Sequence, residues 1–195
     1  MRFNSSLSYK EYIGHHNFLY GETDTKKTFY TAKFIQFLIE SKNFDPKKIS
    51  ILDFAPPYNI IDGVKIGGKI KDFYQEIDNC NNLYFEGEIL PPRLNARNIT
   101  DLYENACKNF KKAFKILKLF NNKPTSILII NDISIYFHIG NKKLLVDSIN
   151  KTNTFFGNSY YGSSIKSDFS TLFSLREKRL VEYLVKKIEN SYFTG

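Results

Sequence analysis

The chain is poor in the residues that build cross-linked or metal-centred folds. It has no tryptophan, one methionine and only two cysteines among 195 residues. Cys80 and Cys107 show neither the paired spacing of a zinc site nor the C-x-x-C spacing of a redox enzyme. Free thiols are typical of a reducing compartment, whereas small secreted scaffolds rely on disulfides. The sequence therefore argues against a disulfide-stabilised scaffold and against a cysteine metal site.

A long hydrophobic run is also missing. No stretch approaches the roughly 20 apolar residues of a membrane-spanning helix, and residues 1–6 carry no apolar signal region. We therefore expect a cytoplasmic protein with no membrane partner. With 42% hydrophobic and 16% aromatic residues, the composition is that of a folded globule, and the length predicts a single domain over residues 1–195.

The balance of charge is basic, with a net charge of +8. A basic surface attracts RNA or another polyanion, so such a partner is one interpretation. The chain is also rich in Lys, Asn, Ile, Phe and Tyr, a bias that AT-rich coding produces without functional meaning. The charge alone does not decide between the two, and the sequence leaves a homo-oligomer open.

The most informative stretch lies near the start of the chain. A short apolar run at residues 18–20 predicts a buried strand, and Gly21 breaks it. From Lys27 onward, apolar residues recur at helical spacing, at Phe34, Ile35, Leu38 and Ile39. A strand, a glycine loop and a helix in this order form the context in which a phosphate-binding loop works, because amides at the helix start point at an anion.

This loop nearly matches the pattern G-x-x-x-x-G-K-[ST]. Gly21 is the first glycine, Lys27 the lysine and Thr28 the hydroxyl that would hold Mg²⁺, but Lys26 stands where the second glycine belongs. The candidate nucleotide-binding residues are Gly21, Glu22, Thr23, Asp24, Thr25, Lys26, Lys27 and Thr28. The alternative is an ordinary turn leading into a lysine-rich helix.

Two apolar strands end in a carboxylate. Residues 49–53 predict a strand that ends in Asp53, and four consecutive aliphatics at residues 127–130 lead to Asp132. Carboxylates at the carboxyl ends of parallel strands face the crevice where ligands bind in open α/β sheets. Asp132 is therefore a candidate for holding Mg²⁺ beside the phosphate loop, and Asp53 for orienting or deprotonating a nucleophile. A turn-forming Asp53 is the alternative.

Weaker candidates lie further along the chain. Asn158 ends a predicted strand where a loop that recognises a purine base would lie, with Tyr160 or Tyr161 to stack on the base. Arg93 and Arg97 follow two prolines and could clamp a phosphate, although surface arginines need no such role. Ser174 and Glu177 have capping-box spacing and predict a helix start, and the pattern assigns no role to His138.

The two motifs, at residues 21–28 and 127–132, resemble those of the P-loop NTPase superfamily. Within it, Gly21-Glu-Thr23-Asp24-Thr-Lys-Lys27-Thr28 is similar to the G-x-T-D-x-G-K-[ST] loop of polynucleotide 5′-hydroxyl kinases. This resemblance implies that Asp53 acts on the attacking hydroxyl. The chain departs from that family in two places. Lys26 replaces a glycine, and Asp53 is followed by Phe-Ala-Pro-Pro, whereas the family has Val-Gly-Gln after its Asp. The loop also resembles that of dethiobiotin-synthetase-like enzymes.

We therefore expect an α/β fold, a three-layer αβα sandwich with a mainly parallel sheet. The expected function is binding of ATP or GTP with Mg²⁺ and hydrolysis of the nucleotide, with Lys27, Asp53 and Asp132 catalytic and with Thr28 and Asp132 holding the metal. Two alternatives stay open: a kinase acting on a polynucleotide or a small molecule, and a non-catalytic nucleotide-binding module, which Lys26 favours.

Overall fold

The computed structural model describes residues 9–61, 63–83, 87–165 and 167–195. The strands, in chain order, are β1 (His16–Gly21), β2 (Ile49–Asp53), β3 (Asn59–Ile61), β4 (Val64–Ile66), β5 (Asn81–Asn82), β6 (Ile127–Asn131), β7 (Thr154–Tyr160) and β8 (Asn190–Phe193). The α-helices are α1 (Lys27–Gln36), α2 (Ile99–Asn122), α3 (Ile133–Phe137), α4 (Lys142–Ile149) and α5 (Thr171–Val185). Short 3-10 helices span Tyr9–Tyr12, Pro46–Lys48, Ile70–Asp72 and Gln75–Asn79.

Six strands form one sheet in the spatial order β5-β2-β6-β7-β1-β8. Every neighbouring pair in it runs parallel. Strands β3 and β4 form a separate antiparallel hairpin. The α/β class and the parallel sheet of the sequence prediction are confirmed.

Both faces of the sheet are covered, as the continuous apolar runs of β2 and β6 predict. Successive strand residues point to opposite faces, so Phe18 packs in one core and Leu19 in the other. Helix α1 and the 3-10 segments at residues 70–79 cover one face. Helices α2, α4 and α5 cover the second face. The molecule therefore has three layers.

Two helices show why the sequence forms these elements. Helix α1 buries Phe34 and Ile35 against the sheet, and the Phe34 ring stacks on Phe156 of β7 at 4.7 Å. Each such side chain contributes about 1.5–3 kcal/mol when fully buried. Helix α2 starts after Asn98, whose side chain caps it by accepting from the Asp101 amide at 2.9 Å. It presents a buried apolar stripe to the sheet and its lysines to solvent.

Four segments differ from what the sequence pattern predicts. The apolar run continues through residues 133–137, which predicts a longer strand or a loop, and the structure has helix α3 there. Helix α5 begins at Thr171, so Ser174 and Glu177 lie inside it and do not cap it. No pattern predicts strand β8. The apolar residues at positions 83–90 predict a further strand, but this segment falls partly outside the described residues, and its described positions, 83 and 87–90, are not strand.

Because all six strands are parallel, their carboxyl ends meet at one edge of the sheet. Strand β1 lies between β7 and β8, and β7 separates it from β6. The phosphate loop, Asp53, Asp132 and Asn158 therefore all lie at the same edge. In the described part of the chain, no helix combines the length and the apolar character that a membrane span needs.

Candidate functional site

A cavity of about 630 Å³ opens at the carboxyl edge of the sheet. Its size falls within the range of about 300–1,000 Å³ that is typical of ligand pockets. It is lined by residues 23–29 of the phosphate loop, residues 55–58, residues 65–69 of the hairpin, residues 91–93, and Asp72, Phe73, Asp132, Ser134, Ile135, His138, Asn158, Tyr160 and Ile165. The structure thus brings most of the residues selected from the sequence to one cavity.

Two residues of the phosphate loop have an uncommon backbone conformation. Asp24 and Lys26 both adopt left-handed conformations, with φ of 55° and 61°. Lys26 therefore keeps the conformation that favours glycine, at a cost of about 1–2 kcal/mol. Among the described residues, the amides of residues 24–28 find no hydrogen-bond acceptor. A turn of free amides at a helix start is suited to bind phosphate oxygens.

Lys27 lies on the floor of this loop and is 9% exposed. Its Nζ donates to the Gly21 carbonyl at 3.0 Å, to the Glu22 carbonyl, and to Thr25 Oγ1 at 3.1 Å. Burial lowers the pKa of Lys27 to about 8, against the opposing attraction of Asp132 and Glu22. An ammonium held in this way has no carboxylate partner in hydrogen-bond contact among the described residues, so its charge is available to an incoming anion.

Thr28 is positioned by a residue that the sequence reasoning missed. Its Oγ1 donates to Asn131 Oδ1 at 3.2 Å, and Asn131 also accepts from Asn158 Nδ2 at 2.8 Å. The Asn131 amide group donates in turn to Asp53 Oδ1 at 2.8 Å. Asn131 therefore joins the phosphate loop to the ends of β2 and β7. The signal was its place as the first polar residue after four aliphatics.

Asp132 follows Asn131 in a left-handed conformation, with φ of 57°. Its Oδ1 accepts from Ser134 Oγ at 2.5 Å, and its side chain lines the cavity. Burial raises the pKa of Asp132, and the Ser134 hydrogen bond and the Lys27 ammonium oppose that shift. Asp132 and Thr28 thus line the same cavity, although β7 lies between β6, which Asp132 follows, and β1, which precedes the phosphate loop.

Asp53 is partly buried and is not among the residues that line the cavity. Its Oδ2 accepts from the Ile70 amide at 2.8 Å, and its Oδ1 accepts from the Ala55 amide at 3.2 Å and from Asn131. Burial raises its pKa, whereas Lys69 and these hydrogen bonds lower it. The carboxylate fastens the wall formed by residues 68–70, and its action on a nucleophile stays a prediction.

Asn158 is 2% exposed, and both ends of its amide are engaged. Its Nδ2 donates to Thr31 Oγ1 and Asn131 Oδ1, and its Oδ1 accepts from the Asp132 amide at 3.1 Å. It therefore aligns the ends of β6 and β7 with helix α1. Recognition of a purine by Asn158 stays a prediction.

Two contacts hold the flanks of the phosphate loop. Glu22 accepts from the Ser163 amide at 2.8 Å and from Ser164 Oγ at 2.5 Å. Thr25 Oγ1 lies 2.8 Å from Thr194 Oγ1, just beyond β8. Gly21 and Glu22 support the loop and are not among the cavity-lining residues. The loop is thus tied to the ends of both strands that flank β1.

A second cluster of polar side chains includes two residues that line the cavity, Arg93 and His138. Arg93 makes a two-pronged contact with Glu177, with Nη2 at 3.2 Å from Oε1 and 3.1 Å from Oε2. His138 Nε2 lies 2.5 Å from the Oε2 atom of Glu177. All three side chains are at most 6% exposed. Arg93 is therefore neutralised by Glu177, while Arg97 is exposed and pairs with Asp101.

Comparisons with known proteins give little similarity. No protein-family model matches the chain, and no curated protein matches it in sequence. Among solved structures, the chain is similar to the Pif1 helicase from Candida albicans, with 15% identity and a TM-score of 0.37. The match covers 100% of this chain and 40% of the helicase chain.

Proposed function

We propose that this protein binds a nucleoside triphosphate with Mg²⁺ and transfers the γ-phosphoryl group, with hydrolysis of ATP or GTP as its first activity. The observation that carries the proposal is the buried ammonium of Lys27 beneath a turn of free amides. A cation and several N–H donors directed at one cavity match the charge and oxygen-rich surface of a polyphosphate.

Each residue has a role that follows from its contacts. The amides of residues 24–28 donate to phosphate oxygens, and Lys27 neutralises the β- and γ-phosphates. Thr28 and Asp132 are the residues that would hold Mg²⁺, with Asn131 fixing the Thr28 hydroxyl. When bound, Mg²⁺ would stabilise the negative charge that the phosphates carry during transfer. Bound with a nucleotide, this ion needs only one or two protein carboxylates, so a single Asp132 fits.

A kinase is the second candidate, and the apolar lining of the cavity favours it. Besides the phosphate loop, Pro92, Ile135, Tyr160 and Ile165 line the cavity, and so do two exposed aromatic residues, Tyr58 and Phe73. Apolar and aromatic walls of this kind suit a second, hydroxyl-bearing substrate. A kinase hydrolyses nucleotide poorly until an acceptor is present, so adding acceptors separates the two candidates.

The test is a titration with MgATP and MgGTP, followed by both calorimetry and phosphate release. We expect Lys27→Met to weaken nucleotide binding by about 10- to 100-fold, because one charge-assisted contact is worth about 1.5–3 kcal/mol. Lys48→Met is the matched control, since this exposed lysine precedes β2 at the opposite edge of the sheet. Unchanged binding in Lys27→Met would show that the loop is not a phosphate site.

A further inference from the structure

His138 is a buried imidazole whose tautomer is determined by its neighbour. It follows helix α3, is 1% exposed and lies against the Phe173 ring, with 4.4 Å between the ring centroids. Burial alone would raise the pKa of Glu177, but Arg93 and His138 lower it, so Glu177 is a carboxylate. A carboxylate only accepts hydrogen bonds, so Nε2 of His138 carries the hydrogen and Nδ1 carries the lone pair.

The Nδ1 atom has no hydrogen-bond partner among the described residues, although it is buried. A buried acceptor without a partner costs about 1–3 kcal/mol, so it requires an explanation. His138 lines the same cavity as Lys27, Thr28 and Asp132. The Nδ1 atom is covered by its neighbours, so a donor in the cavity contacts it only after the ring or an adjacent side chain moves, and catalytic hydrogen bonds often form in this way when the substrate binds. The donor of interest is an O–H group, since the proposed reaction needs one as its nucleophile.

We propose that His138 Nδ1 accepts the proton of the O–H group that attacks the γ-phosphorus. This inference rests on the proposed function. As the new O–P bond forms, the bond from the γ-phosphorus to the bridging oxygen breaks, and its electron pair stays on the nucleoside diphosphate. The proton of the nucleophile moves to Nδ1, and Glu177 stabilises the resulting imidazolium through Nε2–H. The proton is then released to solvent.

The surroundings of His138 suit a base. Burial lowers the pKa of His138, with Arg93 acting in the same direction, and Glu177 and Asp132 oppose the shift. The imidazole is therefore neutral near pH 7 and able to accept a proton. Glu177 is a positioning residue, and Arg93 in turn fixes the orientation of its carboxylate. Asp132 is less available for this task, because it accepts from Ser134 and is the proposed metal ligand.

The test is His138→Gln, measured with MgATP. A glutamine amide reaches the position of Nε2 and keeps the donor to Glu177, but it provides no acceptor at the position of Nδ1. We expect nucleotide affinity within about threefold of the wild type and a loss of turnover of about 100-fold, the usual size of a general-base effect. The acid limb of the wild-type pH profile should disappear in the variant. His15→Gln, at an exposed histidine before β1, is the control.

Two reactions are measured, because the O–H group belongs either to water or to an alcohol. Phosphate release reports water, and transfer of labelled phosphate to glycerol or to a 5′-hydroxyl oligonucleotide reports an alcohol. His138→Gln should depress whichever reaction the wild type catalyses. Equal turnover in variant and wild type would overturn the role of His138 while leaving nucleotide binding intact. A wild type that does not bind nucleotide would instead overturn the proposed function.

A measurement on the wild type needs no variant to fold. Nitrogen-15 NMR of the imidazole distinguishes the two neutral tautomers, and we expect hydrogen on Nε2 alone. Hydrogen on Nδ1 would overturn the inference. A parallel loss of unfolding cooperativity, binding and turnover in His138→Gln would indicate a purely structural residue and would also overturn it.

Discussion

At the scale of single residues, Lys26 shows how a loop tolerates a departure from its pattern. The sequence suggests that losing the second glycine disables the loop, yet the backbone at Lys26 keeps φ of 61° and ψ of 17°. The side chain is exposed and forces no change in the neighbouring amides. The lysine therefore costs conformational energy and leaves the donors in place.

Replacing Lys26 with glycine should stabilise the protein. Glycine removes the left-handed strain of about 1–2 kcal/mol but adds freedom to the unfolded chain, so we expect a net gain of up to about 1 kcal/mol in the free energy of unfolding. Chemical denaturation measures it. Lys42→Gly is the control, because Lys42 has φ of −107° and carries no such strain. Equal destabilisation by both substitutions would contradict the expectation.

Which site residues could be predicted depends on their distance along the chain. Residues 21–28 form a local pattern, so their loop and its lysine could be recognised directly. Glu177 contacts Arg93 across 84 residues and His138 across 39, so only the folded topology brings them together. The three-residue spacing of Ser174 and Glu177 is that of a capping box and predicts a helix start. The same spacing also occurs inside a helix, and there the contacts of Glu177 depend on which side of the helix faces the core.

At the scale of elements, apolar patterns predict the buried strands and the long helices, because burial of apolar side chains determines both. The strands β1, β2 and β6 are continuous apolar runs buried on both faces, and the long helices have apolar stripes, so both classes could be predicted. Helix α3 is five residues long and buried on every side, which leaves no helical period to detect. Strand β8 reads Asn-Ser-Tyr-Phe and forms because β1 offers it an open edge.

The hairpin of β3 and β4 provides a prediction about the cavity wall. Gly67 has φ of 70°, and a Cβ there would lie 2.3 Å from the Pro57 carbonyl oxygen. Gly67→Ala should therefore displace the hairpin, destabilise the protein and weaken nucleotide binding about tenfold. Gly63→Ala is the matched control, since φ is 77° and, among the described residues other than its chain neighbours, no atom lies within 4 Å of its Cβ. It should cost only about 1 kcal/mol of backbone strain. Denaturation and calorimetry measure both, and equal effects would contradict this assignment.

At the scale of the whole molecule, the two cysteines test the fold. Cys107 is exposed on α2, whereas Cys80 is 5% exposed and burial raises its pKa to about 11. Thiolate is the reactive form, so a thiol reagent at pH 8 should modify one cysteine per chain rapidly and the second only when the protein unfolds. Cys107→Ser should remove the fast phase. Two equally fast thiols would contradict the packing of residues 75–82 against the sheet.

The fold class could be predicted from the order of strands and helices, but the order of strands in the sheet could not. An apolar run indicates that a strand is buried, but it does not indicate which strands are its neighbours in the sheet. The insertion of β7 between β1 and β6 places Asn158 between the two motifs, where it hydrogen-bonds to both Asn131 and the Asp132 amide. The network around Asn131 follows from this arrangement.

The two clasps on the phosphate loop, Glu22 with Ser163 and Ser164 and Thr25 with Thr194, have a consequence for the energetics of ligand capture. They hold the loop in its working shape before any anion arrives, so the entropy of ordering it is spent during folding. Preorganisation of this kind leaves more of the interaction energy for affinity. It also means that a movement of the loop would displace the segments that follow β7 and β8, because these segments hydrogen-bond to it.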